Sequence, residues 1–279
     1  MRIDGHQHYW EPARDDYGWL MPDKGILYRD YLPQHLKPHL DEHRMARTIV
    51  VQAAPTVEET VYMLGLSERD PSIAGVVGWL DFEAPTFAEI FEKLRANPKF
   101  VGVRPMIQDL PEDWLLRPQV VAHMKLLEAE GFPVDLQLRP FLMDAAAALL
   151  EQVPKLRAVV DHIAKPEPGE PVDQWALRMK RLADYPNVYC KISGLVPEVY
   201  GAAWSAEQIK PYVSAVLACF GPERVFFGSD WPVCLLSATY DQVVSLAESL
   251  LPDEWTEAQR DGFWGGNAAA FYRLSADNA

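Results

Sequence analysis

Ala74-Gly75-Val76-Val77-Gly78-Trp79-Leu80 is apolar throughout and ends in a charge, Asp81. A strand with one wet face alternates apolar and polar residues. A run without alternation suits a strand covered on both faces, as in a parallel sheet packed between layers. Runs of the same kind recur at Arg2–His6, Thr48–Ala53, Phe100–Pro105, Pro133–Leu138, Ala158–Ile163, Val188–Ile192 and Val225–Gly228, eight in all. Helical signals fill the gaps. Thr86–Arg95 sets Phe87, Ile90, Phe91 and Leu94 on one stripe, and Gln119–Glu130 stops at Gly131. Glu58–Asp70 and Phe141–Val153 end at prolines, Asp173–Asp184 opens on an acidic residue, and Ser205 is placed to cap Ala206–Phe220. Tyr240–Leu251 and Thr256–Tyr272 complete the set. Alternating strand and helix implies a parallel sheet with right-handed crossovers. Eight such units predict an α/β chain folded as a (β/α)8 TIM barrel, one domain over residues 1–279. A doubly wound dinucleotide binder would place Gly-x-Gly-x-x-Gly after its first strand, where this chain has His6-Gln7-His8. The stretch from Tyr9 to Arg47, rich in proline and aromatics, reads as a long first βα loop that walls the barrel mouth.

Composition narrows the function classes. A net charge of −14 disfavours a nucleic-acid binder, which needs a basic footprint. No apolar run approaches the roughly 18 residues of a membrane helix, and no apolar leader precedes Arg2. The three cysteines, Cys190, Cys219 and Cys234, are scattered, which argues against a disulfide framework or a thiolate zinc site. A cytoplasmic protein with no nucleic-acid or membrane partner is the expectation. Whether it is a monomer or a homo-oligomer stays open.

In a barrel the active site forms at the C-terminal strand ends. Strand one delivers His6 and His8, which share a face because strand side chains alternate. Strand two delivers Gln52, strand three Trp79 and Asp81, strand four Arg104, and strand five Gln137 and Arg139. From strand six come Asp161 and His162, from strand seven Lys191 and Ser193, and from strand eight Ser229, Asp230 and Trp231. Some of these also have structural readings. Arg104 could pair with Asp81 or Asp109, Lys191 could pair across barrel layers, and His162 could be a hydrogen-bonded core residue. His39 and His43, at i, i+4 spacing beside Pro38, lack the acidic partner of His-Glu-x-x-His and read as a solvated face.

His-x-His ending strand one, His162 ending strand six and Gly228-Ser229-Asp230-Trp231-Pro232 ending strand eight resemble the amidohydrolase superfamily. More narrowly, the chain resembles its amidohydrolase 2 branch, which contains L-fuconolactonase- and L-rhamnonolactonase-type sugar lactonases. Supporting phrases are Asp4-Gly5-His6-Gln7-His8-Tyr9-Trp10, Val51-Gln52-Ala53, Gly102-Val103-Arg104, Asp161-His162-Ile163-Ala164-Lys165-Pro166 and Cys190-Lys191-Ile192-Ser193-Gly194-Leu195, with Gly266-Asn267-Ala268 near the end. The resemblance implies that His6, His8 and Asp230 hold one divalent metal, zinc first, in members that use one. Three nitrogen and oxygen ligands with an open position suit a mononuclear catalytic zinc. Arg104 stands where the wider superfamily has a carboxylated lysine, Gln137 and Arg139 replace a strand-five histidine, and Pro105 stands where several fuconolactonase-like members have histidine. A cation that is weakly bound or dispensable follows from the missing ligands.

The resemblance implies hydrolysis of a sugar-acid lactone such as L-fucono-, L-rhamnono- or L-galactonolactone. Asp230 would be the general base on water, with His162 and Arg104 beside the reacting carbonyl. Gln52, Asp81, Lys191, Tyr9, Trp10 and Trp231 would recognise sugar hydroxyls and the ring face. Two alternatives remain: a metal-dependent, non-oxidative decarboxylase of the same branch, and a non-catalytic sugar-acid binding protein.

Overall fold

The computed structural model describes residues 1–166, 171–196 and 205–274. Each apolar run becomes a strand: β1 (Arg2–Gln7), β2 (Met45–Val51), β3 (Ile73–Gly78), β4 (Phe100–Val103), β5 (Val134–Leu136), β6 (Ala158–Val160), β7 (Val188–Ile192) and β8 (Val225–Phe227). Neighbours in sequence pair in parallel from β1 through to β8. The ring closes just beyond β8, where Gln7 and Trp231 form a parallel bridge. There His8 N–H donates to Trp231 O at 2.7 Å and Asp230 N–H donates to His6 O at 2.8 Å. The fold is the expected single-domain (β/α)8 barrel.

The helices surround the strands: α1 (Pro33–Glu42), α2 (Val57–Arg69), α3 (Phe87–Arg95), α4 (Pro118–Glu130), α5 (Met143–Gln152), α6 (Val172–Ala183), α7 (Ala206–Phe220) and α8 (Tyr240–Leu250). Local chemistry sets their ends. The Ser205 side chain accepts from Gln208 N–H while Gln208 reaches back to Ser205 N–H, and Thr239 and Gln242 do the same for α8. Gly131 ends α4 in the left-handed conformation that glycine adopts without steric cost.

Two sequence expectations are corrected. The stretch from Tyr9 to Arg47 is not all loop, because α1 occupies Pro33–Glu42 with Leu36 and Leu40 buried and Pro38 inside it. His39 and His43 are correspondingly not a plain solvated face. His39 stacks on Tyr240, and His43 Nε2 lies 2.8 Å from Asp241 Oδ1, docking α1 on α8. The last helical stretch is not continuous either. It divides into α9 (Glu257–Asp261) and α10 (Asn267–Phe271) around a widened turn at Gly262–Gly266. A Cβ on Gly265 would lie 2.5 Å from Met1 O, so the backbone itself packs on the start of β1.

Inside the barrel the lower layer is apolar. Ile3, Ile49, Ala74, Val101, Val159 and Phe226, from six different strands, pack with Phe271 and Tyr272, which plug that end. Higher up, the inward positions turn polar. On β7 they run Tyr189, Lys191, Ser193; on β5, Asp135 then Gln137. Register places Asp135 beside Val159 and Lys191 beside Phe226, so these two charges sit between the plug and the mouth. Among the described residues no helix is long and apolar enough to cross a membrane, and Cys190, Cys219 and Cys234 are free thiols.

Candidate active site

Barrel closure brings the ends of β1, β6 and β8 to one point. His6 Nε2 and His8 Nε2 lie 3.3 Å apart. Asp230 Oδ1 is 3.2 Å from His8 Nε2, 3.8 Å from His6 Nε2 and 3.8 Å from His162 Nε2. All four side chains are buried. Two glycines make this density possible. A Cβ on Gly194 would stand 2.5 Å from His162 Nδ1, and one on Gly228 would stand 2.6 Å from His6 Cβ.

Hydrogen bonds aim the rings. His8 Nδ1–H donates to Val51 O at 2.7 Å, which leaves His8 Nε2 as an acceptor when the ring is neutral. His162 Nδ1 bonds Ser193 Oγ at 2.8 Å and turns Nε2 toward Asp230. The turn carrying His162 is strained. His162, Ile163, Ala164 and Lys165 have φ of 54°, 49°, 57° and 48°, and Asp230 has φ of 56°. Left-handed backbone costs an L-residue about 1–2 kcal/mol, and for β-branched Ile163 it is a clear outlier. Such strain is held where surrounding packing over-determines it, as at functional sites.

The ionisation states separate. Burial lowers the His162 pKa to about 4, opposed by Asp230 and Asp161, so its ring is neutral at neutral pH. Burial pushes the Asp230 carboxyl up, but His162, His8 and His6 around it outweigh that and hold it below the usual carboxylate range. The centre is therefore a carboxylate beside two buried imidazoles, His6 and His162, whose pKa values burial lowers. His8 Nε2 and Asp230 Oδ1 lie 3.2 Å apart, and imidazole nitrogen with carboxylate oxygen is the ligand set of a cation site. His6, His8 and Asp230 form a buried group that could hold a metal ion, and the residues fit the divalent cation expected from the sequence.

Above the centre opens a cavity of about 270 Å³, lined by His8, Arg104, Gln137, His162 and Asp230 on its floor and by Trp19, Lys24, Leu27, Gln108 and Lys165 on its walls. That volume lies just under the roughly 300–1,000 Å³ range of small-molecule pockets. It suits a ligand of monosaccharide size.

Several residues singled out in the sequence stand elsewhere. Asp81 is exposed and accepts from Glu83 N–H at 2.9 Å, capping a turn away from the cavity. Trp10 is buried, its indole N–H shared between Leu27 O and Arg29 O at 3.1 Å each. Tyr9 and Trp231 are buried behind the site, edge to face with ring centroids 6.1 Å apart. Lys191 is fully buried one inward position below Ser193 and reaches His6, not the cavity. Gln52 donates to Arg104 O at 2.9 Å, and the Arg104 guanidinium donates to Gln52 O, so the two brace each other. Arg104 also lies 3.4 Å from Asp161, rather than pairing with Asp81 or Asp109.

Sequence reading passed over Lys165, whereas Trp19, Lys24 and Leu27 on the cavity wall come from the first βα loop expected to wall the mouth. Lys165 is 5% exposed, and its ammonium donates to Gln108 Oε1 at 2.6 Å. The signal for it was present in Asp161-His162-Ile163-Ala164-Lys165-Pro166, where a charge follows an apolar pair. Trp19 arrives through its indole N–H, which donates to Ala53 O at 2.7 Å.

Comparison with known proteins agrees with this architecture. The family described as Amidohydrolase matches residues 3–274. An L-fucono-1,5-lactonase of Burkholderia ambifaria is 38% identical, the match covering 98% of this chain and 96% of that protein. The L-fucono-1,5-lactonase of Burkholderia multivorans is 35% identical over the same shares. A crystal structure of an amidohydrolase from Burkholderia multivorans with bound Zn superimposes with a TM-score of 0.93 at 36% identity, covering 99% of this chain and all of that one.

Proposed function

The chain belongs to the amidohydrolase family, and from that premise we propose that it is a lactonase that hydrolyses an aldonolactone of monosaccharide size to the aldonic acid. The observation that carries this reading is the Asp230 carboxylate, held ionised at the closed end of a cavity of about 270 Å³. The lactonase activity of relatives aligned over nearly the whole chain supports it.

The cavity's own residues divide the reaction between them. Asp230 takes a proton from water, and the oxygen attacks the lactone carbonyl. His162, neutral and turned by Ser193, presents Nε2–H to the carbonyl oxygen as charge develops there. A neutral imidazole donates a hydrogen bond well but gives up its proton poorly. The proton for the departing ring oxygen therefore comes from Asp230, newly protonated. A divalent cation on His6, His8 and Asp230 would supply water acidified toward a pKa of about 7 and polarise the carbonyl. Arg104, whose buried Nε has no hydrogen-bond partner among the described residues, and Gln137, whose Oε1 has none among them, offer polar contacts to the ligand. Lys165 and Lys24 reach hydroxyls from the wall, and Trp19 covers the ring face.

A decarboxylase of the same branch is less well supported, because Gln137 occupies the strand-five position of the fuller metal site. The test is acid release from L-fucono-, L-rhamnono- and L-galactonolactones, followed with a pH indicator. Turnover of at least one, lost in Asp230→Asn, is the expected result. Absence of acid release from all of them, with ligand binding retained, would leave a sugar-acid binder instead.

A further inference from the structure

Below the His6–His8–Asp230 group lies a cation that belongs to the protein itself. The Lys191 ammonium is fully buried, 3.0 Å from His6 Nδ1, 2.5 Å from Asp135 Oδ2 and 3.0 Å from Asp161 Oδ1. An ammonium has only hydrogens to offer. His6 Nδ1, facing it, is therefore the acceptor, and the ring proton sits on Nε2. That proton points at His8 Nε2, 3.3 Å away, which is free to accept because His8 Nδ1–H is committed to Val51 O. The bonds from Lys191 to His6 to His8 to Val51 thus close without any metal.

This is the wrong tautomer for a ligand. A metal-binding imidazole needs its lone pair on the nitrogen facing the ion, and it donates the other N–H to a carboxylate, carbonyl or water. His6 meets an ammonium there instead. The remedy lies one contact away: Asp161 Oδ1, 3.4 Å from His6 Nδ1, is held among the described residues only by its ion pair with Lys191 at 3.0 Å.

We propose that Lys191 is a positioning residue that holds His6 in its Nε2-protonated tautomer, so that a divalent cation is taken up only against this lock. The proposal rests on the reading of His6, His8 and Asp230 as the cation group. Uptake relocates one proton. It leaves His6 Nε2 for solvent as the metal–nitrogen bond forms, and one from solvent arrives at Nδ1, where Asp161 Oδ1 accepts the new hydrogen bond. The ring stays neutral and Lys191 keeps its charge on Asp135 and Asp161. With the lock in place, His8 Nε2 is already engaged by His6 and only Asp230 Oδ1 is ready for an ion, which makes the site grip weakly.

Two measurements test this on the full chain, first stripped of metal with a chelator. Long-range ¹H–¹⁵N correlation of the histidine rings reads the tautomers directly. His6 is expected with Nε2 protonated and Nδ1 bare, changing to Nδ1–H as zinc is added; Nδ1–H on His6 in the metal-free protein would overturn the proposal. Zinc affinity, measured by competition with a chromogenic chelator, is expected to rise about tenfold or more in Lys191→Met, with Lys191→Arg retaining the weaker grip. Unchanged or weaker zinc binding by a folded Lys191→Met protein would also overturn it. If Lys191→Met does not fold, the wild-type spectrum decides. Neither measurement reads lactone turnover, so failure of the lactonase reading would leave both outcomes interpretable.

Discussion

Ile49, Val101 and Phe226 fill the lower lumen of the barrel beside Phe271 and Tyr272 with hardly a polar atom. Nearer the mouth, on β1, β5 and β7 and just beyond β6, the lumen holds Asp135, Lys191, Asp161, His6 and His162, all buried. Both halves exclude water and both are densely packed, but they are held together differently. The lower half is stabilised by removing apolar surface from water, which tolerates any filling of the right volume. The upper half is a set of buried charges, worth little as stability and costly to break singly. Two carboxylates, Asp135 and Asp161, meet two cations, Lys191 and Arg104, so the layer below the site is balanced in charge. Tyr272 joins the halves, its hydroxyl donating to the Asp135 carboxylate at 2.9 Å. Stability is concentrated at one end of the lumen and chemistry at the other.

The largest expected break is Asp230→Asn, which should lower kcat/KM for the preferred lactone by about 10³-fold or more while leaving the thermal midpoint within a few degrees. Activity near wild type would remove Asp230 as the base. In the lower half, Phe271→Ala should do the reverse. It should cost about 3–5 kcal/mol in denaturant unfolding, with kcat/KM of the remaining folded protein within about threefold. A comparable loss of activity would mean that the two halves are mechanically coupled. On the cavity wall, Lys165→Met should raise KM about tenfold with little change in kcat, the size of a lost charged hydrogen bond. A fall in kcat instead would move Lys165 into the chemistry.

The pH profile sharpens the same division. Because burial lowers His162 to about 4, kcat/KM should be flat from about pH 5 to neutrality and fall as His162 gains its proton below that. The sign for stability follows. The unfolded chain takes up this proton near 6.5 and the folded one near 4, so His162's contribution is present above about 6.5 and lost as pH falls toward 4. An acid limb centred near 6.5 in kcat/KM would contradict a neutral, buried His162. The smallest effect belongs to Tyr272→Phe, expected at about 1 kcal/mol of stability and no change in turnover, read by denaturant unfolding and acid release.

Much of this was legible in the chain itself. Uninterrupted runs such as Val76–Leu80 can only be strands of a sheet covered on both sides, and their polar terminal residues mark the mouth. His6, His8, His162 and Asp230 were visible for that reason, and the structure brings them together. What escaped depends on depth and on local exceptions. Lys191 and Ser193 differ by one inward step, invisible as depth in a sequence, yet one lies beneath the histidines and the other touches one. Tyr9, Trp10 and Trp231 follow strand ends, but their large rings are worth more in the core than at a wet rim, and the cavity received Trp19 instead. Pro38 concealed α1, since proline within a polar stretch signals a loop. Gly265 split the last helix through a contact with Met1 that lies at the other end of the chain.

The left-handed turn from His162 to Lys165 also acts as a ruler. A helical turn of either hand brings every third or fourth residue back to the same side, so His162 and Lys165 both address the cavity while Ile163 and Ala164 are buried. One residue added between them would swing the ammonium by about 100° and aim it away from the ligand. The spacing, more than the charge, is what a redesigned specificity would have to preserve.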